Sequence, residues 1–295
     1  MEPVTKQQFD LEFYKLDGAG NDFVGLDWRG REPLRPEELA QLTRILCHRY
    51  HGAGADGVIM LLGPSTAGEY HFTMKYLNAD GSVGEMCGNG ARCAAVFAHA
   101  MGAAPEQMTF LTDAGEYRAE LIEEGARVYF PEIKALPERR PLQGPARSLE
   151  SADFLIVGVP HAVIFLDDLD LQNIDQLGRE VRFDPAFQPQ GANANFAEVR
   201  DGVIHVRTYE RGVEAETLAC GTGSVATACC HAMRAGVKGP QRFSIMPTGG
   251  MGLEVSFSRT AEGFREVVLS GPARISFRGD CRADMERCAM MLRQE

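Results

Sequence analysis

The feature that most constrains this chain is a motif that occurs twice. "MCGNGARCAAVFAHA", from Met86, and "ACGTGSVATACCHAM", from Ala219, each place a cysteine before Gly-x-Gly and then a run of small apolar residues. As a helix such a run is apolar on every side, so each copy has to be enclosed by other elements rather than laid on a surface. Most of the remaining sequence reads as strands able to do the enclosing. In the first half these are "LEFYKLDG", "DFVGLD", "GVIMLL", "YHFTMKYLN", "MTFLTDAGEYRAELI" and "ARVYF", with Gly or Asp at the turns. In the second half they are "FLIVGVPHAVIFL", "ANFAEV", "GVIHVRTYE", "FSIMPTGG", "GLEVSFS", "REVVLSG" and "ARISFRG". "RPEELAQLTRILCHRY" has the apolar spacing of an amphipathic helix. "PEIKALPERRPLQGPARSLESAD", rich in Pro and charge, is the candidate linker between halves.

The halves echo each other beyond the cysteines. "MKYLNADG…MCGNG" resembles "VRTYERGV…ACGTG", and "GAGNDF" (Gly18–Phe23) resembles "GANANF" (Gly191–Phe196). The expected fold is α/β of the α+β kind. It consists of two pseudo-symmetric domains, each a curved, mainly antiparallel sheet wrapped around one central helix.

A thiol at such a helix start has a chemical purpose. The first turn carries unpaired N–H groups and the positive end of the helix dipole, which favour a thiolate. Glycines let the same N–H groups curl around a carboxylate. Two such turns related by a pseudo-twofold axis would aim one sulfur at each face of a bound α-carbon. One sulfur removes the α-proton and the other returns a proton from the opposite side, inverting the centre without redox change. Enzymes often meet this difficulty with pyridoxal phosphate on a lysine. The lysines here, Lys6, Lys15, Lys75, Lys134 and Lys238, lack a phosphate-cradling context, so a cofactor-free route is expected. Cys87 and Cys220 are the candidates. Cys47, Cys93, Cys229, Cys230, Cys281 and Cys288 are expected to be inert small hydrophobes.

Other classes are disfavoured. The net charge of −11 argues against nucleic acid and anionic membrane as partners. The opening "MEPVTKQQFDLEF" is acidic and lacks the apolar run of a signal peptide, and no stretch has the length of a membrane span, so a reducing cytoplasm is expected. Cysteine spacings miss the zinc patterns, so no metal is expected. "GAGNDF" lacks the third glycine of a dinucleotide fingerprint. A redox pair or an amino-acid-binding protein on the same scaffold remains an alternative to an enzyme.

Over nearly its full length the chain resembles the diaminopimelate epimerases. The motifs that carry the resemblance are "KLDGAGNDFV", "GAGADGV", "YLNADGSVGEMCGNGARC", "GVPHAV", "GANANF" and "YERGVEAETLACGTG". The resemblance implies two similar lobes closing over substrate, commonly as a homodimer, and interconversion of LL- and meso-diaminopimelate without pyridoxal phosphate. That reaction serves lysine and peptidoglycan precursor synthesis. One lobe is expected over residues 1–133 with 276–295 returning to it, the other over 134–275. Position by position, Cys87 and Cys220 match the base and acid, and Gly88–Asn89 and Gly221–Thr222 the backbone cradles. Asn21, Asn78, Asn193 and Arg211 match the side chains for the distal head, and His161 and Glu210 the pair that orients the reacting amino group. Arg211 suits a carboxylate in its own right, and Glu210 an ammonium. Two positions depart: Val159 stands where many relatives have Asn, and Gly57 where some have Gln. A proline or hydroxyproline racemase is the neighbouring alternative, but Asn89 replaces the histidine typical of those enzymes.

Overall fold

A computed structural model of the chain describes residues 8–64, 69–84 and 86–284. The strands of the first half are β1 (Gln8–Gly18), β2 (Asn21–Asp27), β3 (Gly57–Leu62), β4 (Phe72–Asn78), β5 (Gln107–Thr112), β6 (Gly115–Ile122) and β7 (Gly125–Tyr129). Helix α1 (Pro36–Cys47) separates β2 from β3, and α2 (Gly88–Ala100) separates β4 from β5. The next strands are β8 (Glu138–Pro141), β9 (Ser151–Val157), β10 (Val159–Phe165), β11 (Asn193–Arg200), β12 (Val203–Tyr209) and β13 (Glu216–Thr217). They are followed by β14 (Gly239–Pro247), β15 (Leu253–Arg259), β16 (Phe264–Pro272) and β17 (Arg274–Asp284). Helix α3 (Ile174–Arg182) lies between β10 and β11, and α4 (Gly221–Arg234) between β13 and β14.

The pairing senses repeat. In the first half β1/β2 is antiparallel, β2/β3 parallel across α1, β3/β4 antiparallel, β4/β5 parallel across α2, and β5/β6 and β6/β7 antiparallel. In the second half β9/β10, β10/β11, β11/β12, β12/β14, β14/β15 and β15/β16 run through the same order of senses, with α3 and α4 at the parallel crossings. The last strands of the two series, β7 and β16, pair antiparallel from Tyr129↔Val268 to Gly125↔Pro272 and join both halves into one sheet. β17 then returns to β1, from Asp17↔Arg274 to Gln8↔Asp284.

Each half encloses its helix as the apolar runs require. Ala91, Cys93, Ala94, Ala95, Phe97 and Ala98 of α2 are buried among β-strand residues such as Leu16, Ile59, Phe72, Phe110 and Val128. Val225, Ala226, Ala228, Cys229, Cys230 and Ala232 of α4 are buried against Val163, Ile204, Ile245, Val255 and Leu269. Small side chains let a sheet wrap closely around a helix. The amphipathic helix α1, which buries Leu42, Ile45, Leu46 and Cys47, begins with Pro36 after Arg35, whose N–H is accepted by the Glu38 carboxylate at 3.0 Å. Among the described residues no helix is long and apolar enough to cross a membrane.

Two expectations need correction, and one element was not anticipated. The Pro-rich stretch is not a bare linker: β8 lies on β9, a 3₁₀ turn spans Pro145–Leu149, and Leu142 and Ala146 are buried. Its charges misled, because Arg140 stacks its guanidinium on Phe154 instead of facing water. Helix α3 has no strong sequence signal. Gly178 interrupts it, and its apolar stripe is Ile174 and Val181 alone among fully buried large residues. The "GAGNDF"/"GANANF" echo is not the structural repeat. Gly18–Asn21 closes the β1/β2 hairpin, with Ala19 and Gly20 at φ 60 and 104, the signs a tight right-twisted hairpin requires. Its counterpart in the pairing scheme is Val157–Val159 around Gly158, φ 69, at the β9/β10 hairpin. The parallel registers Phe23↔Gly57 and His161↔Asn193 make Asn21 the mate of Val159 and Gly57 the mate of Asn193. Residues 285–295, including Cys288 and most of the expected returning segment, lie outside the described residues.

Candidate active site

The two repeated motifs meet head to head. Cys87 and Cys220 are the N-cap residues of α2 and α4, with nearly equal backbone angles (φ −128, ψ 111 and φ −119, ψ 110). The helix starts touch. A Cβ on Gly88 would lie 3.3 Å from Cα of Gly221, and Leu269 of the joining strand β16 would sit 3.0 Å from a Cβ on either glycine. Asn89 donates from Nδ2 to the carbonyl of Ala219 at 2.9 Å, tying the first helix start to the residue before Cys220. Both sulfurs therefore open on one cavity of about 460 Å³, a size suited to a small ligand. Its wall contains Asn21, Asn78, Gly88, Asn89, Asn193, Glu210, Arg211, Gly221 and Thr222, so the expected residues converge. Val159 adds an apolar patch beside them, and Met86, Arg182 and Gln190, not anticipated, also line it.

His161 is the exception. It is fully buried and does not line this cavity. Thr208 donates to Oδ1 of Asn195 at 3.1 Å, which turns the Asn195 amide N–H toward Nδ1 of His161 at 3.2 Å. Nδ1 is thus the acceptor and the proton sits on Nε2. Nε2 has no hydrogen-bond partner among the described residues. Burial, aided by the charge of Arg211 and opposed by Asn195, holds the imidazole at a pKa of about 3, so it is neutral. Asn195, missed in the sequence, is the residue that sets this tautomer.

The electrostatics correct a second expectation. The helix dipole was expected to favour thiolates, yet burial dominates both sulfurs. Although Cys87 keeps some exposure to the cavity, burial pushes it up to about 12. The N–H of Gly90, 3.3 Å from the sulfur, opposes this, the charge of Glu210 adds to it, and Arg92 and the Asn89 N–H oppose it in turn. Burial and Glu210 likewise raise Cys220 well above its ordinary value, against hydrogen bonding from Thr222 and Gly223. Glu210 itself is pushed up to about 7 by burial, with bonds from Thr217 (2.6 Å) and Cys220 pulling down and the charge of Asp56 pushing up. A carboxyl that titrates near neutrality thus touches a thiol that rests protonated.

A chain of side chains runs behind the wall. Asp56 accepts from Nδ2 of Asn21 at 3.1 Å, Oδ1 of Asn21 accepts from Asn89, and Oδ1 of Asn89 accepts from Arg92 at 2.9 Å. Every amide dipole in it points the same way, from carboxylate to guanidinium, so the bonds reinforce one another. The Asn21 side chain, expected to face substrate, is engaged at both ends in this chain. Arg92 is fully buried, also donates to the Gly88 carbonyl (3.3 Å), and among the described residues has no carboxylate bonded to it. A lone arginine inside an apolar helix was the legible signal for it. Arg92→Met is expected to slow iodoacetamide labelling of Cys87 at each alkaline pH tested, since a nearby cation that favours the thiolate is lost. It should also cost roughly 1–3 kcal/mol for the unpaired Asn89 and Gly88 oxygens, read by thermal melting. An unchanged labelling profile would make Arg92 purely a packing residue.

The family model described as diaminopimelate epimerase matches residues 13–133 and 154–275 of the chain. The chain is 38% identical to the diaminopimelate epimerase of Aquifex aeolicus over 279 residues, covering 91% of this chain and 97% of that one. It is 39% identical to that of Methanothrix thermoacetophila over 280 residues, covering 91% and 95%. Among solved structures it superposes on a phenazine biosynthesis protein of the PhzF family from Bacillus anthracis with a TM-score of 0.71 at 15% identity, covering 92% and 99%. It also superposes on a hydroxyproline epimerase from Agrobacterium vitis with a TM-score of 0.69 at 16% identity, covering 95% and 94%. These last two likenesses speak for the fold alone. Taken with the paired cysteine-capped helices, the family match over both halves shows that this chain belongs to the diaminopimelate epimerase family.

Proposed function

We propose that the chain interconverts LL- and meso-diaminopimelate by a two-base reaction of Cys87 and Cys220. The observation that carries this is the meeting of two cysteine-capped helix starts at one polar cavity. The substrate carboxylate lies against the N–H groups of Gly88–Asn89 and Gly221–Thr222, where both dipoles stabilise the charge that develops as the α-proton leaves. One sulfur, as thiolate, takes that proton. The other, as thiol, gives its own to the opposite face, so the protonation states of the pair are exchanged and the configuration is inverted.

The resting thiols are protonated, and the thiolate forms on binding. Substrate brings an ammonium into a site where burial and the Glu210 carboxylate oppose the thiolate, which lowers the thiol pKa. Glu210, half-ionised near neutrality and bonded to Cys220, receives the released proton. His161 serves as a neutral N–H donor behind the wall, and Arg211 and Asn193 hold the distal head. The amide of Asn193 already fixes the Arg211 backbone, accepting its N–H at 2.7 Å. The lobe boundaries at 133/134 and 275/276, a homodimer and a cytoplasmic setting complete this reading. The β1/β17 pairing supports the first of these, and the family resemblance the others.

The test is α-proton exchange in deuterated buffer. LL-diaminopimelate should gain deuterium as the meso form appears, and no exchange with either stereoisomer would end the proposal. Exchange of proline or hydroxyproline instead would favour the racemase alternative.

A further inference from the structure

Tyr76, on β4, occupies space that two glycines leave for it. A Cβ on Gly84 would come within 2.2 Å of its ring, and a Cβ on Gly57 within 2.8 Å of Cε2 and 3.4 Å of the hydroxyl oxygen. Phe23 packs edge-on against the ring at 5.9 Å and 79°. The ring is held on three sides, and its hydroxyl fills the volume that a side chain at position 57 would enter. The space beside Gly57 is therefore filled by a phenol arriving from the neighbouring strand, where Gly57 pairs with Asn78.

The hydroxyl has no hydrogen-bond partner among the described residues. A tyrosine oxygen in a polar wall ordinarily finds one. Tyr76 lines the cavity that holds both sulfurs and also an adjoining cavity of about 730 Å³. The carboxylate cradles Gly88, Asn89, Gly221 and Thr222 line only the first, whereas Cys87, Glu210, Asn78 and Arg211 line both with Tyr76. Tyr76 thus stands at the junction of the two cavities, between the reacting sulfur of Cys87 and the pair Asn78 and Arg211. Burial above all, with the carboxylates of Glu210 and Asp56 adding to it, keeps its phenol protonated, so it can donate.

Resting on the epimerase reading, we propose that Tyr76 is a specificity-determining residue whose hydroxyl donates a hydrogen bond to the carboxylate on the unreacting end of the substrate. Tyr76→Phe removes the oxygen and keeps the ring that Gly57 and Gly84 accommodate, so the variant should melt at the wild-type temperature. Its KM for diaminopimelate is expected to rise about ten- to a hundredfold, the scale of a hydrogen bond to a charged group, with kcat nearly unchanged. Lysine, which is diaminopimelate lacking one carboxylate, should inhibit both enzymes equally. An unchanged KM, a fall in kcat at constant KM, or lysine inhibition weakened as much as diaminopimelate binding would each overturn the assignment. A wild-type enzyme inert toward diaminopimelate would instead refute the reading beneath it.

Discussion

Replacing either Cys87 or Cys220 by alanine is expected to abolish epimerisation while leaving the fold in place. Each sulfur serves one face of the stereocentre, and the opposite sulfur cannot reach around to replace it, so the loss should be at least about 10³-fold in either direction. Stability should change little. Cys87 caps its helix by accepting the N–H of Gly90, and loss of such a cap costs about 1 kcal/mol. A double readout of turnover and melting temperature separates the two effects. Near-normal epimerisation in either variant would contradict the two-base scheme, whereas a large fall in melting temperature would mean that the sulfurs act chiefly in packing.

Glu210→Gln is expected to trade activity for stability, and the sign depends on pH. The carboxyl titrates at 4.5 ordinarily and at about 7 in the fold. A raised folded pKa gives stability that is fully present below about 4.5 and is lost as pH rises through about 7, because the unfolded chain releases the proton first. Above pH 7 the wild-type protein carries a buried carboxylate worth on the order of 3 kcal/mol of lost stability. Glutamine cannot ionise, and its oxygen can still accept from Thr217. The melting temperature of the variant relative to wild type should therefore climb by several degrees between pH 5 and pH 8. Turnover should fall about 10²-fold or more, the scale of a lost proton-transfer group. A pH-independent difference in melting temperature would show that Glu210 does not titrate in this window.

The legible part of the site was the part written in adjacent residues. Cys87 with Gly88 and Asn89, and Cys220 with Gly221 and Thr222, form one local turn each, and local turns follow from local sequence. The strands around them followed from alternation. Asn195 and Tyr76 escaped notice because their roles come from neighbours across strands, Thr208 and His161 for one, Gly57 and Gly84 for the other. Arg92 could have been suspected as a lone charge in an apolar helix, but its partners depend on the helix turn it shares with Gly88 and Asn89. The Gly-Ala echo misled for the converse reason: two similar strings sit at different places in the strand order, one in a hairpin turn and one entering a strand beside a parallel neighbour.

Composition and spacing determined that two helices rich in small apolar residues must be enclosed and that each begins with a thiol above a glycine turn, since both properties are set within a few residues. That the two starts face one another was decided by the long-range pairing of β7 with β16, which seats Leu269 beneath Gly88 and Gly221. The protonation of the thiols was likewise a tertiary matter. A helix start favours the anion wherever it lies, but the surrounding protein keeps most water from both sulfurs, and there desolvation exceeds what the N–H groups return.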